Sequence, residues 1–260
     1  MSAFTREVRA ELRRRARPEI KAAFERYFLG AVRFHGCKKP TVKAVSAALL
    51  PRLKEASVEK QRAEAFALLR SPWMEERQLG TLLLHRLRKR LPDDVVEELA
   101  EVFDTHVRDW ASCDTLSGQV LRELMGRPTT RKRILAWSRS ENPWRQRASA
   151  IALLSEARHG EVNRDVLAVC ARIVKNPDRF VQLGAGWVLR ELSLADRGLV
   201  LRFLDQHAAS VSREGLRYAL EKMPATVRAR AMASHAARTS ARAGASGRRG
   251  AQGAVATVTR

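Results

Sequence analysis

Two residues in the stretch VRDWASCDTLSGQVL, Trp110 and Asp114, stand four positions apart. On a helix that spacing puts an indole and a carboxylate on one side, a turn from each other. Arg147 follows Asp114 by 33 residues and Trp187 follows Arg147 by 40. If successive helical units stack with a step near those separations, two indoles, one carboxylate and one guanidinium converge on a single groove. Such a set suits a cationic or polyanionic ligand, because aromatic faces attract cations and a guanidinium matches phosphate. Each residue also has an ordinary role open to it. A lone tryptophan on a helix packs into a core, Asp114 could cap a helix beginning in CDTLSGQ, and Arg147 in WRQRAS could face water or tie one repeat to the next.

The elements that would position these residues are helices. Apolar residues recur with a period near 3.6 along almost the whole chain, and alternation of the strand type is nearly absent. The prolines mostly fall just before an apolar run, where proline suits the first helical turn, and SLAD, LPDD and NPD supply capping oxygens at similar places. SPWMEERQLGTLLLHRL from 71, NPWRQRASAIALLSEA from 142 and NPDRFVQLGAGWVLREL from 176 share one plan, with VSREGLRYALEKM from 211 a weaker copy. The step of about 35 residues between the clearer copies fits a two-helix unit. The expected fold is all-α, an α-solenoid of HEAT or armadillo-like repeats over residues 1–232, with a concave face lined by equivalent positions. Residues 233–260 lose their large aliphatics, gain Gly, Ser and Ala and carry Arg without any acid, the composition of a disordered basic tail. That tail reads equally as an inert extension or as an arm contacting DNA nonspecifically.

Forty-nine Lys and Arg against 28 Asp and Glu leave a formal charge of +21. A surface so basic attracts polyanions, nucleic acid first, although an arginine-heavy genome raises the same count. Cys37, Cys113 and Cys170 lie far apart with no CxxC, which suggests neither a zinc site nor a disulfide framework; no metal and no cofactor is expected. No apolar run approaches the roughly 18 residues that span a bilayer, and the charged N-terminus lacks a signal h-region, with Glu7 and Glu11 arguing against a transit peptide. The expectation is a cytoplasmic monomer of bacterial type, nucleoid-associated, without a membrane partner.

DWASCD, NPWRQRASAIALL and VQLGAGWVLREL together resemble the signature helices of the AlkD-type DNA glycosylases, the HEAT-like-repeat family of DNA alkylation repair enzymes. The order Trp-x-x-x-Asp, Gln-Arg-Ala, Gly-Trp-x-Leu-Arg-Glu is the family's, and FHGCKKP at 34 is similar to its Phe-x-Gly-x-x-x-Pro. The likeness spans about residues 20–225; Cys113 and the tail depart from the pattern. By matched position the resemblance implies that Asp114 is the catalytic carboxylate, that Trp110 and Trp187 wall the cleft, and that Arg147 contacts the DNA backbone. It further implies hydrolysis of the N-glycosidic bond of positively charged N3- or N7-alkylated purines in duplex DNA. Such a base is already a good leaving group, so the paired carboxylates of ordinary glycosidases, missing here, are not required. A carboxylate about 4 Å from a developing cation, at an effective dielectric of about 20, gains roughly 4 kcal/mol before desolvation, about a thousandfold in rate. That speeds loss of a weakly held base and leaves a neutral purine almost untouched. No lysine stands out as a Schiff-base nucleophile, so a monofunctional enzyme is expected. Arg145, Arg179 and Arg190, at repeat ends, are further candidates for DNA phosphates. Two alternatives are a non-catalytic HEAT-like module binding damaged or branched DNA and a protein-interaction scaffold; the combination of Trp110 with Asp114 favours catalysis.

Overall fold

The computed structural model describes residues 1–29, 32–161 and 163–238. Its described residues form an all-α helical repeat fold, whose only strand-like pairing among them is an isolated bridge between Arg33 and Trp73. The chain divides into two compact units at Ala152. The first holds α1 (Ala3–Arg14), α2 (Pro18–Tyr27), α3 (Lys39–Leu49), α4 (Val58–Leu69), α5 (Met74–Leu87), α6 (Val95–Thr105), α7 (Trp110–Leu116), α8 (Arg122–Leu124), α9 (Pro128–Ala136) and α10 (Pro143–Ile151). The second holds α11 (Leu154–His159), α12 (Asn163–Ile173), α13 (Arg179–Ala195), α14 (Arg197–Gln206) and α15 (Arg213–Ala219), followed by helical residues 225–238. The sequence reads residues 1–232 as one repeat domain. The expected boundary at 233 falls inside that last helical stretch, where His235 bonds the Val211 carbonyl and Arg238 pairs with Asp205. The remainder of the expected tail, from 239 on, lies outside the described residues.

The local signals explain the helix starts. Proline occupies the first turn of α2, α3, α9 and α10. Side-chain oxygens of Asp109, Asn142, Asp178, Asp196 and Ser212 accept the first free N–H groups of α7, α10, α13, α14 and α15. A long polar side chain then reaches back to fasten the loop before its own helix: Arg77 Nε donates to the Ser71 carbonyl at 2.7 Å, Gln146 Nε2 to Ser140 at 2.6 Å and Gln182 Nε2 to Asn176 at 2.8 Å. The step is six residues each time, so the internal repeat seen in the sequence is a repeat of hydrogen bonds as well as of aliphatics.

Within the first unit, Leu79, Leu83, Leu84, Leu99, Phe103, Leu116 and Leu121 are fully buried. Burying a side chain of this kind contributes about 1.5–3 kcal/mol, which makes this stripe the main source of cohesion. The acids of α6 tie it to its neighbours: Glu98 takes Arg62 of α4, Glu101 takes Arg70 just past the end of α4, Glu97 takes Arg133 of α9, and Asp104 takes Arg145 of α10. In the second unit α13 lies hard against α15, where a Cβ added at Gly186 would stand 2.6 Å from the Gly215 carbonyl oxygen. Only glycine permits that approach.

Candidate functional site

The residue before Trp110 sets the site. Asp109 is buried and its carboxylate accepts from Ser112 N at 2.7 Å, so Asp109, not Asp114, caps α7. Arg77 of α5 backs this cap, its Nη1 lying 3.5 Å from both Asp109 Oδ2 and Ser112 Oγ, and burial pulls the Arg77 pKa down. With the cap so fixed, Trp110 is the first residue of α7 and Asp114 the fifth, one turn on. Beyond them the helix widens into a π turn over Ser117–Leu121, where Ser117 Oγ donates to the Cys113 carbonyl at 2.7 Å. Such a bulge changes which residues face the core after Asp114 and recurs at functional sites.

Asp114 is held from the next helix pair. Arg147, the fifth residue after the Asn142 cap of α10, donates Nε to Asp114 Oδ1 and Nη2 to Asp114 Oδ2, each at 2.8 Å. Both side chains are largely out of water, 5% exposed for Arg147 and 13% for Asp114. Burial raises the Asp114 pKa from its ordinary value, and the bonds and charge of Arg147 oppose that rise. The fork fixes the plane of the carboxylate and leaves the second lone pair of each oxygen for another partner. The resemblance implies that Arg147 contacts the DNA backbone; in the structure its Nε and Nη2 lie two-pronged on Asp114. The buried thiol of Cys113 next to Asp114 donates to the Trp144 carbonyl at 3.5 Å, and desolvation drives its pKa well above normal.

Trp110 stands at an aromatic cluster that the sequence left unassigned. Phe28 stacks on it with centroids 5.7 Å apart and planes at 17°, and Tyr27, largely exposed, meets its edge at 6.4 Å. Phe34 packs 5.2 Å from both Phe24 and Phe28. Phe34 of this cluster opens the FHGCKKP motif. Glu75 is buried and accepts three consecutive backbone N–H groups, from His35, Gly36 and Cys37, at 2.9–3.0 Å. Gly36 has φ +105°, a conformation that side chains resist. Neighbouring Glu76 accepts a two-pronged bond from Arg9 together with bonds from His35 Nε2 and Ser71 Oγ; burial pushes its pKa up, and these donors outweigh that and hold it at about 2. The visible signal was the run YFLGAVRFHG, whose aromatics lack helical spacing.

The remaining expected residues have other neighbours. Trp187 belongs to the second unit, on α13, where it stacks on Tyr218 with centroids 6.5 Å apart and lies 6.0 Å from the Arg190 guanidinium. Arg190 pairs with Glu191 and with Glu221 at 2.6 Å. Arg179 pairs with Glu214 at 2.5 Å, and Arg145 pairs with Asp104 at 3.1 Å while lying 5.0 Å over the Trp137 ring. Each of the three therefore has a carboxylate partner within its own unit. Among the described residues no group of three or more His, Cys, Asp and Glu is placed to hold a metal ion, and no helix is long and apolar enough to cross a membrane.

The arrangement thus offers a fixed, mostly buried carboxylate beside an aromatic wall, able to favour a cation in front of it. A solved structure of a predicted DNA alkylation repair enzyme from Enterococcus faecalis shares the fold, with a TM-score of 0.69 and 19% identity over 81% of this chain and 97% of that one. No curated protein matches the chain. The sequence model described as DNA alkylation repair enzyme matches residues 8–223, most of the chain, and with Trp110, Asp114 and Arg147 inside that span the protein belongs to the DNA alkylation repair enzyme family.

Proposed function

We propose that the protein is a monofunctional DNA glycosylase that removes N3- and N7-alkylated, positively charged purines from duplex DNA. The observation that carries this reading is the Asp114–Arg147 pair beside Trp110: a carboxylate largely removed from water, paired with one guanidinium and directed by two 2.8 Å bonds. As the C1′–N bond breaks, its electron pair returns to the purine and cancels the ring charge, and positive charge builds on the sugar. Asp114 stabilises that sugar and accepts a hydrogen bond from the water that adds to C1′, whose proton passes to the carboxylate or to solvent. The Trp110 face adds on the order of 0.5–2 kcal/mol toward a cationic sugar or base edge. Arg147 is a positioning residue. Its charge offsets part of what Asp114 offers the sugar, so the gain falls below the roughly 4 kcal/mol of an unpaired carboxylate at about 4 Å, nearer a hundredfold than a thousandfold in rate.

Incubation of the protein with duplex DNA carrying N7-methylguanine, followed by measurement of free base above spontaneous depurination, tests the reading. Release of N7-methylguanine, with unmodified guanine retained and the abasic strand uncut, is expected. No release above background, with the duplex bound, overturns catalysis and leaves a DNA-binding module.

A further inference from the structure

One glycine beside the candidate carboxylate makes no contact that explains it. Glycine inside a helix is less stable than alanine, so it persists where packing or backbone conformation requires it. Gly80 of α5 meets the first condition, because an added Cβ would stand 2.7 Å from the Ala65 carbonyl oxygen, and Gly36 with φ +105° meets the second. Gly118 meets neither. Its φ lies outside the left-handed region, and nothing lies within 4 Å of the place its Cβ would take.

That open place continues the strip that holds the reactive groups. Trp110, Asp114 and Gly118 follow one another at steps of four and each reaches solvent in part, while Ser112, Cys113, Leu116, Ser117, Val120 and Leu121 are buried. A regular helix drifts by about 40° over four residues, and the wider π turn holds Gly118 nearer the line of Asp114. The turn is pinned from the neighbouring helix, since His85 Nδ1 of α5 donates to the Gln119 carbonyl at 2.8 Å. In order along the strip stand an indole, a carboxylate fixed by Arg147, and bare backbone.

We infer that Gly118 is a specificity-determining residue: its missing side chain leaves the room in which the deoxyribose of the damaged nucleotide settles against the π turn, close enough for Asp114 to face C1′. The inference rests on the glycosylase reading above. A side chain at 118 would fill that room and hold the sugar off, and a misplacement of about 1 Å is enough to cost about a hundredfold in rate.

The test compares Gly118→Ala, Gly118→Leu and Gly126→Ala with the wild type in melting temperature, in single-turnover excision of N7-methylguanine at saturating protein, and in affinity for a duplex carrying a tetrahydrofuran abasic analogue. Alanine at 118 touches nothing and suits a helix better, so the melting temperature should rise by about 1–3 °C. Excision by that more stable protein should nevertheless fall about tenfold. Gly118→Leu should cut excision about a hundredfold and weaken binding of the abasic duplex about tenfold. Gly126→Ala, at an exposed glycine outside the strip, should do neither. Excision by Gly118→Leu at the wild-type rate overturns the inference, and so does a lowered melting temperature for Gly118→Ala, which would make the glycine a packing residue. A wild type that binds the abasic duplex yet releases no N7-methylguanine overturns the glycosylase reading; the inference then stands if Gly118→Leu loses affinity for that duplex and falls if it does not. A wild type with no affinity for duplex removes both.

Discussion

Two ion pairs join neighbouring helices of this molecule by the same chemistry. Arg147 meets Asp114 at 2.8 Å with both side chains buried, and Arg179 meets Glu214 at 2.5 Å with side chains 62% and 44% exposed. The shorter pair is the weaker one. An exposed pair of this kind contributes about 0.2–1 kcal/mol, whereas removing one member of a buried pair leaves a stranded charge that costs about 3–5 kcal/mol. Burial, not distance, separates a staple from a built site.

The strongest way to break that contrast is Asp114→Asn. It deletes the charge while keeping size and one acceptor, and excision of N7-methylguanine should fall about a hundredfold, toward a thousandfold if Arg147 offsets little of the carboxylate's field. Unlike an exposed substitution, it strands the Arg147 guanidinium, so the melting temperature should drop as well, by on the order of 10 °C for a cost of about 3 kcal/mol. Excision at the wild-type rate would reduce Asp114 to a structural partner of Arg147.

Arg147→Gln sharpens the contrast through pH. Without the guanidinium, the already raised pKa of Asp114 should rise further, so the acid limb of the excision profile moves to higher pH and the rate near neutrality falls about tenfold. The sign in stability is the reverse of a salt-bridged carboxylate's. A buried Asp with a raised pKa binds its proton more tightly folded than unfolded, so the deficit against wild type should be large at pH 8 and shrink as the pH falls below the raised value. The salt dependence of DNA binding should stay unchanged. A slope reduced by about one, with an unshifted rate profile, would make Arg147 a phosphate ligand after all.

Glu76→Gln reaches the site most indirectly and should change excision only a few-fold. Its pKa, held at about 2 against an ordinary 4.5, corresponds to about 3 kcal/mol of stability. Because the folded value is depressed, that stability is complete above about 4.5 and is lost as the pH falls toward 2. The glutamine variant should melt lower at neutral pH and approach the wild type in acid; equal melting temperatures at both pH values would leave the His35 loop without its anchor at Glu76.

The repeats were legible because each carries its own local signals, a capping Asn or Asp, a proline and an aliphatic stripe, none of which depends on distant chain. Trp110 and Asp114 were legible for the same reason, their spacing being a property of one helix. The partner of Asp114 was half visible: the 33-residue separation placed Arg147 one repeat away, but whether two neighbouring charges face a ligand or each other is settled by burial, which no spacing encodes. The cap was missed because an aspartate immediately before Trp110 competes with one four residues later, and only Asp109 has the extended backbone that capping needs. Tyr27 and Phe28 escaped because they reach Trp110 across long sequence separation, from the end of α2.

The side chains that reach back six residues, Arg77 to Ser71, Gln146 to Ser140 and Gln182 to Asn176, bear on how the chain acquires its shape in time. Each closes a loop of very short span, which carries a small entropic penalty and requires no neighbouring repeat to be present. Contacts of that kind keep the mean sequence separation of native contacts low, the condition under which chains fold fast and can begin at several places at once. Each helix entrance can thus be set without the long-range Asp114–Arg147 bond, which joins parts that local contacts have already shaped.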